Sequence, residues 1–437
     1  MSNSIKLSSA VKYSSKRINV NEISVEDFIS TDNLLQNKLG KENAIKLPLL
    51  KGLMPGYSNT NILVGNIRPY LKKIWFADKE SGCSADVLVF EVNKFHFPKF
   101  IFYTLFRDDF FDHMMKGSKG TKMPRGDKKQ ILEFLIPDFE FEEQQKIAKV
   151  LSDLDIKIEL NNRINIELEA MAKTLYDYWF VQFDFPTPSP LGRAGEGIPF
   201  KTSGGKMVWN EELKREIPEG WENINLQDLC DKIGDGIHGT PKYVEQSEYS
   251  FINGNNLKNG FIQTDYETKK VSLEEYEKYF ILLNENSILL SINGTLGNLA
   301  VFTGEKVMLG KSSAYINCKE NNRAYCYQFL KQGHMPSLFW NIATGSTIKN
   351  LSLDSIKKLK ILKPNNNLIE QFHLKTKAID DKRKNIFIEN QELASLRDWL
   401  LPMLMNGQVN VVDVAVLRQA QDDMLGMVAE ASARYEK

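Results

Sequence analysis

Cysteine is scarce in this 437-residue chain: four residues, Cys83, Cys230, Cys318 and Cys326, with no Cys-x-x-Cys pair. That spacing excludes the usual zinc and dithiol frameworks and reads as reduced core cysteines of a cytoplasmic protein, with no metal site. Long apolar runs are missing as well. No segment approaches the roughly 18 residues that span a bilayer, so no membrane association is expected. Residues 1–20 are polar with scattered Lys and Arg, and no secretory signal is read there. Net charge is absent too, since 56 basic and 56 acidic residues cancel. A chain coated in basic charge is thereby excluded, although a neutral total is compatible with local basic patches. What is present is 42% apolar content, ample for packed cores. The length fits two to four domains at about 100–200 residues each.

Catalytic motifs are lacking. Residues 304–312 resemble a P-loop, but five residues separate Gly304 from Gly310 where four are needed, and a strand follows. No aromatic-flanked Asn-Pro-Pro or Asp-Pro-Pro run marks an adenine methyltransferase, and no Gly-x-Gly follows a strand as a cofactor loop would. Pro137-Asp138 with Glu143 and Lys146 loosely suggests a nuclease carboxylate site. The later residues open a helix, where acids are favoured by the macrodipole in any case.

The chain does repeat itself, at an offset of 225 residues. Leu63, Val64, Ile67 and Ile74 fall on Ile288, Leu289, Ile292 and Leu299; residues 120–123 fall on 345–348; Ile131 and Phe134 fall on Ile356 and Leu359. Each half ends in a heptad pattern. One seam runs Ile147, Leu154, Asn161, Leu168, Leu175, and the other Phe372, Ile379, Ile386, Leu393, Leu400. Asn165 and its counterpart Asn390 add polar seam positions, which cost stability but fix register. The parts before the helices are strand-rich, with β-type runs at residues 62–64, 87–92, 288–292 and 314–318.

The layout predicted is a first head over 1–140, a long helix over 141–184, a breaker-rich linker over 185–217, a second head over 218–365, a second helix over 366–408, and an amphipathic, peripheral tail over 409–437. The class is α+β: two strand-rich α/β heads joined by two long helices. Antiparallel coiled-coil pairing of those helices would relate the heads by a pseudo-twofold axis. A helix over 142–180 is about 58 Å long at 1.5 Å per residue. Such a rod suits a ruler on duplex DNA, whose half-sites repeat every 34–36 Å. It suits a scaffold between two proteins equally well.

Candidate reading residues lie in polar loops beside glycines. Residues 116–129 carry six positive charges and one negative. Glycines there let backbone approach phosphate, which Lys119, Lys122 and Arg125 would neutralise, with Thr121 beside them. A solvated basic loop is the plain alternative. The matching loop with Ser346, Thr347 and Lys349 weights the reading toward DNA. Asn66, Arg68, Tyr70 and Lys72 follow a strand in the first head; Asn293, Thr295 and Asn298 occupy the related stretch of the second. Arg suits guanine and Asn suits adenine, while ordinary turn residues are the competing reading at each position. His238 and Thr240 sit in a Gly-rich loop, where His238 has no metal-ligand partner.

These residues resemble the specificity subunit of type I restriction-modification systems over roughly residues 20–408. The resemblance is carried by Ile217-Pro218-Glu219-Gly220-Trp221, the loop 235–241, and Ser291-Ile292-Asn293-Gly294-Thr295. Helix entries at Glu143-Gln144 and Glu370-Gln371, and the ending Leu396-Arg397-Asp398-Trp399-Leu400-Leu401-Pro402-Met403-Leu404-Met405-Asn406-Gly407-Gln408-Val409, complete it. It implies two target-recognition domains, each reading half of an interrupted duplex DNA site, with helices setting the gap. It implies two methyltransferase subunits as partners, bringing S-adenosylmethionine and flipping the target adenine. A motor-nuclease subunit would bring ATP and Mg. This chain itself would hold no cofactor and no catalytic centre. The first head departs from the pattern, lacking the Pro-Glu-Gly-Trp opening and carrying Gly65-Asn66-Ile67-Arg68-Pro69 instead of Ser-Ile-Asn-Gly-Thr. The alternatives are a fused or degenerate methyltransferase or nuclease, and a coiled-coil scaffold.

Overall fold

The computed structural model describes residues 4–49, 52–120, 122–187, 197–265, 267–346, 348–409 and 411. The chain forms two compact units: residues 1–160 with 390–437, and residues 161–389. Among the described residues, no helix is long and apolar enough to cross a membrane.

The first unit is built on a four-stranded antiparallel sheet in the order Val11–Tyr13, Val87–Val92, Ile62–Gly65, Ile74–Phe76. Alternation along a strand sends successive side chains to opposite faces. Ile62, Val64, Leu88 and Phe90 therefore join one core with Phe100, Ile101, Phe110, Ile147 and Leu151. Leu63, Val87 and Val89 join a second with Ile29, Leu34 and Tyr57. Both faces are covered, which is why the strands read as continuous apolar runs.

The second unit repeats this frame. Cys230–Asp235, Ser313–Cys318, Ser287–Ser291 and Leu299–Val301 take the same order, extended by Gly260–Ile262 and Leu257–Lys258. Ile288, Leu290, Ala314 and Ile316 face one core and Leu289 and Tyr315 the other. The facing corrects the sequence alignment. Ile62, not Leu63, corresponds to Ile288, so the two central strands repeat at an offset of 226 residues, whereas Ile74 and Leu299 keep 225. A one-residue slip reverses every side chain in a strand, and the connecting loop absorbs the difference.

The opening of the first head also becomes visible. Ser4–Lys6 pairs with Leu135–Pro137 as Glu222–Asn225 pairs with Lys360–Lys363. The Leu7 amide donates to the Phe134 carbonyl at 2.7 Å, and the Leu226 amide to the Leu359 carbonyl at 2.8 Å. Both leucines are fully buried. Among the described residues, Ser4–Lys6 is thus the first head's counterpart of Glu222–Asn225.

The first long helix, Phe141–Tyr176, is followed by a wide turn, Asp177–Val181, in which the Gln182 amide donates to the Asp177 carbonyl at 2.8 Å. The second helix is Asn366–Met405. Partners along them run in opposite directions. In the first unit Arg397 meets Asp155 at 2.8 Å. In the second, Asn161 donates to Glu389 at 2.9 Å, Arg383 lies 3.3 Å from Glu169, and the Tyr176 ring is 6.0 Å from Phe372. In the second unit rising numbers on one helix meet falling numbers on the other, so the helices are antiparallel there. None of the twelve seam residues named from the sequence is exposed; Ile147, Leu154, Asn161, Phe372, Ile386 and Leu400 are fully buried.

Each head's core is completed by the far end of the other helix. Leu400, Leu401, Leu404 and Met405 enter the first head's core; Tyr176, Trp179, Phe180 and Phe183 enter the second's. Each such side chain contributes about 1.5–3 kcal/mol on burial. The stretch 185–217 is not an unstructured linker over its described part. Pro186–Thr187 pairs with Ile198–Pro199 and Met207–Asn210 with Arg215–Pro218. Phe185 stacks on Trp221 with ring centroids 5.4 Å apart. Proline and glycine marked the turns there, and the aromatic anchors between them went unread. Of the tail, residue 410 and residues 412–437 lie outside the described residues.

Candidate nucleic-acid interface

In the first head the chain leaves strand Ile62–Gly65 through Asn66, whose amide donates to the Asp86 carbonyl at 2.9 Å. The basic loop then closes on itself. The Lys119 and Arg125 amides and carbonyls exchange two bonds of 3.0 Å, and Ile67 bridges to Arg125. The Arg68 amide donates to the Pro124 carbonyl at 2.7 Å. Two candidate segments separated by some fifty residues are thus brought together.

The second head is built alike. Thr344 and Asn350 exchange bonds of 2.9 and 2.8 Å, Asn293 bridges to Asn350, and the Leu351 amide donates to Ile292 at 2.9 Å. The Ile292 amide also donates to the Ser312 carbonyl at 3.0 Å, and the Ile237 amide to Leu309 at 2.9 Å. Loops 235–240, 310–313, 292–298 and 344–350 therefore line up along one end of the sheet. Gly236 is required there, because a Cβ would lie 2.1 Å from the Leu309 carbonyl oxygen.

The side chains divide sharply. Lys119 is 84% exposed, with Asp127 at 3.4 Å. Asp127 is held below the usual carboxylate range by the Gln130 and Lys129 amides first, then by Lys119. Lys122 and Tyr70 are exposed, and Arg125 is exposed but ion-paired to Asp86. In the second head Thr240, Thr295, Asn298 and Ser346 are exposed. Thr295 shares a 3.0 Å hydroxyl contact with Ser291. His238 is exposed and pairs with Asp235 at 2.9 Å. Lys349 is half-buried over the Trp340 ring, 5.4 Å from its centroid. Arg68 and Asn293 are half-buried.

Two sequence candidates do not present themselves. Asn66 is buried, and its Oδ1 has no partner. Lys72 adopts φ +50° and turns inward to Asp108 at 3.2 Å. Burial of Asp108 works against its charge, yet Lys38 and Lys72 outweigh that and hold it below the carboxylate range. Thr121 and Thr347 lie outside the described residues. Sequence reading also missed Asp86, Trp340 and the exposed apolar residues Met123 and Ile348. Only Met123 carried a signal, an apolar residue inside a basic loop. The four cysteines are free and buried, with burial pushing Cys83 up to about 12.

The family model of the type I restriction modification DNA specificity domain matches residues 56–170 and 218–394, one span in each half. The chain belongs to this family. It is 28% identical to the HindI specificity subunit of Haemophilus influenzae, across 90% of this chain and 96% of that protein. It is likewise 28% identical to the MjaIX specificity subunit of Methanocaldococcus jannaschii, across 71% of this chain and 69% of the relative. The solved type I S subunit from M. genitalium has the same fold, with a TM-score of 0.51 at 15% identity over 92% of this chain and 96% of that one. The chain is accordingly a non-catalytic, DNA-recognising specificity subunit. The methyltransferase, nuclease and scaffold alternatives are not favoured.

Proposed function

We propose that each head reads one half of an interrupted duplex DNA site, and that the paired helices set the number of base pairs between the halves. The observation that carries this reading is the loop hairpin built twice, closed by the same backbone bonds at 119/125 and 344/350. It is joined in each head to the loop that follows a central strand. The scaffold is common and the exposed side chains differ, as two unlike half-sites require.

The helices also offer a docking face to two methyltransferase subunits. In the first unit Ile156, Leu160 and Trp399 are exposed, and in the second Ile164, Ile166, Met171 and Leu374. Apolar residues left outside a helix seam suit partner helices. S-adenosylmethionine belongs to those partners, and ATP with Mg to a motor-nuclease subunit, all in the cytoplasm. The test is to map methylated adenines in cells carrying this chain with its methyltransferase. A two-part site with a fixed gap is expected. A single uninterrupted site would contradict the reading.

A further inference from the structure

Met123 and Ile348 occupy the same place in the two heads, at an offset of 225 residues. They are 54% and 62% exposed. Each sits at the tip of the hairpin closed by two backbone bonds. Gly120 and Gly345 have φ of +93° and +102°, and a Cβ on them would lie 3.4 Å from the Met123 carbonyl oxygen and 2.3 Å from that of Ile348. In each head the turn brings a glycine back against the backbone of this residue, whose side chain is left exposed to solvent.

An apolar side chain fixed in water forfeits its burial unless a partner covers it. The neighbours indicate which partner. Lys119, Lys122 and Arg125 flank Met123 in the loop's sequence, and Lys349 follows Ile348. Cations suit a phosphate backbone and would be desolvated at cost by an apolar protein surface. The polar residues of the two loops differ while the tip stays apolar. A residue reading a base edge would follow the base, whereas one entering the stack reads no base and can be shared. Met and Ile both serve as wedges between base steps.

We propose that Met123 and Ile348 are apolar wedges, each pressing into the base stack within the half-site read by its own head. The proposal rests on the half-site reading above. The test uses the assembled methyltransferase complex and duplexes carrying 2-aminopurine at half-site positions other than the methylated adenine. Wild-type binding should brighten one step in each half-site. Met123→Ala should abolish the signal in one half-site and Ile348→Ala in the other. Each should weaken binding about 10-fold, the order expected for one buried side chain. Met123→Leu and Ile348→Leu should retain the signal. Unchanged brightening and affinity in the alanine variants, while Lys119→Ala with Lys122→Ala weakens binding, would overturn the wedge and leave the half-site reading standing. So would a loss reproduced by replacing thymine with uracil, which indicates an edge contact. A wild-type complex with no site-specific binding would overturn both.

Discussion

Lys119 and Lys122 are exposed side chains on a loop whose backbone is already hydrogen-bonded, and both can reach phosphate, Lys119 by exchanging its long contact with Asp127. Replacing both with Ala should weaken binding to every DNA sequence and lower the salt slope by about 2. Unchanged affinity and slope in the assembled complex would remove this loop from the interface. The glycines behind the tips make a second expectation. Gly345→Ala should impair DNA binding more than Gly120→Ala, because its Cβ would meet backbone at 2.3 Å instead of 3.4 Å; titration of both variants checks the order. The basic loop was legible as charge among glycines. Asn66 and Lys72 were not, because type and position alike suit a contact. Only three-dimensional burial, and the approach of Asp108, takes them out of reach.

At the level of elements, the helices were legible because a heptad repeat returns mostly apolar residues to the same face, broken by Asn161, Asn165 and Asn390. In the first unit they are tied by Arg397 to Asp155, a carboxylate that also accepts from the Tyr103 hydroxyl at 2.6 Å. Arg397→Met should destabilise the first unit by about 1–3 kcal/mol, since it strips a half-buried carboxylate of its cation. A denaturation cycle with Asp155→Asn should recover part of the loss. The second helix also carries His373, whose pKa lies below 6.5, first through burial and then through Arg323. The folded state thus prefers neutral imidazole. Below about pH 6.5 the unfolded chain takes up the proton first. Stability should fall from there toward the depressed folded value, and His373→Gln should flatten that part of a melting-temperature profile; an unaltered profile would exclude the effect. The strand register was less legible. Leu63 and Ile288 are both apolar because both sheet faces are buried, so hydropathy carried no sign of which face each took.

For the whole molecule, the duplication was legible in sequence and the folded equivalence of the heads extends it to Leu7 and Leu226. Inserting one heptad after Ile158 and another after Arg383 preserves the seam and lengthens each helix by about 10 Å, close to 3 bp. Three base pairs also turn one half-site by about 100°. The expected result is a longer gap with reduced methylation, or no methylation, with half-site sequences unaltered wherever activity survives. Wild-type methylation at the original gap would leave the helices a docking role alone. The most direct test of separate reading is to exchange residues 218–365 for the matching part of a relative and map methylated adenines genome-wide. The account predicts that one half of the site changes while the other half keeps its sequence. A folded, active chimera that changes both halves, or neither, would contradict it.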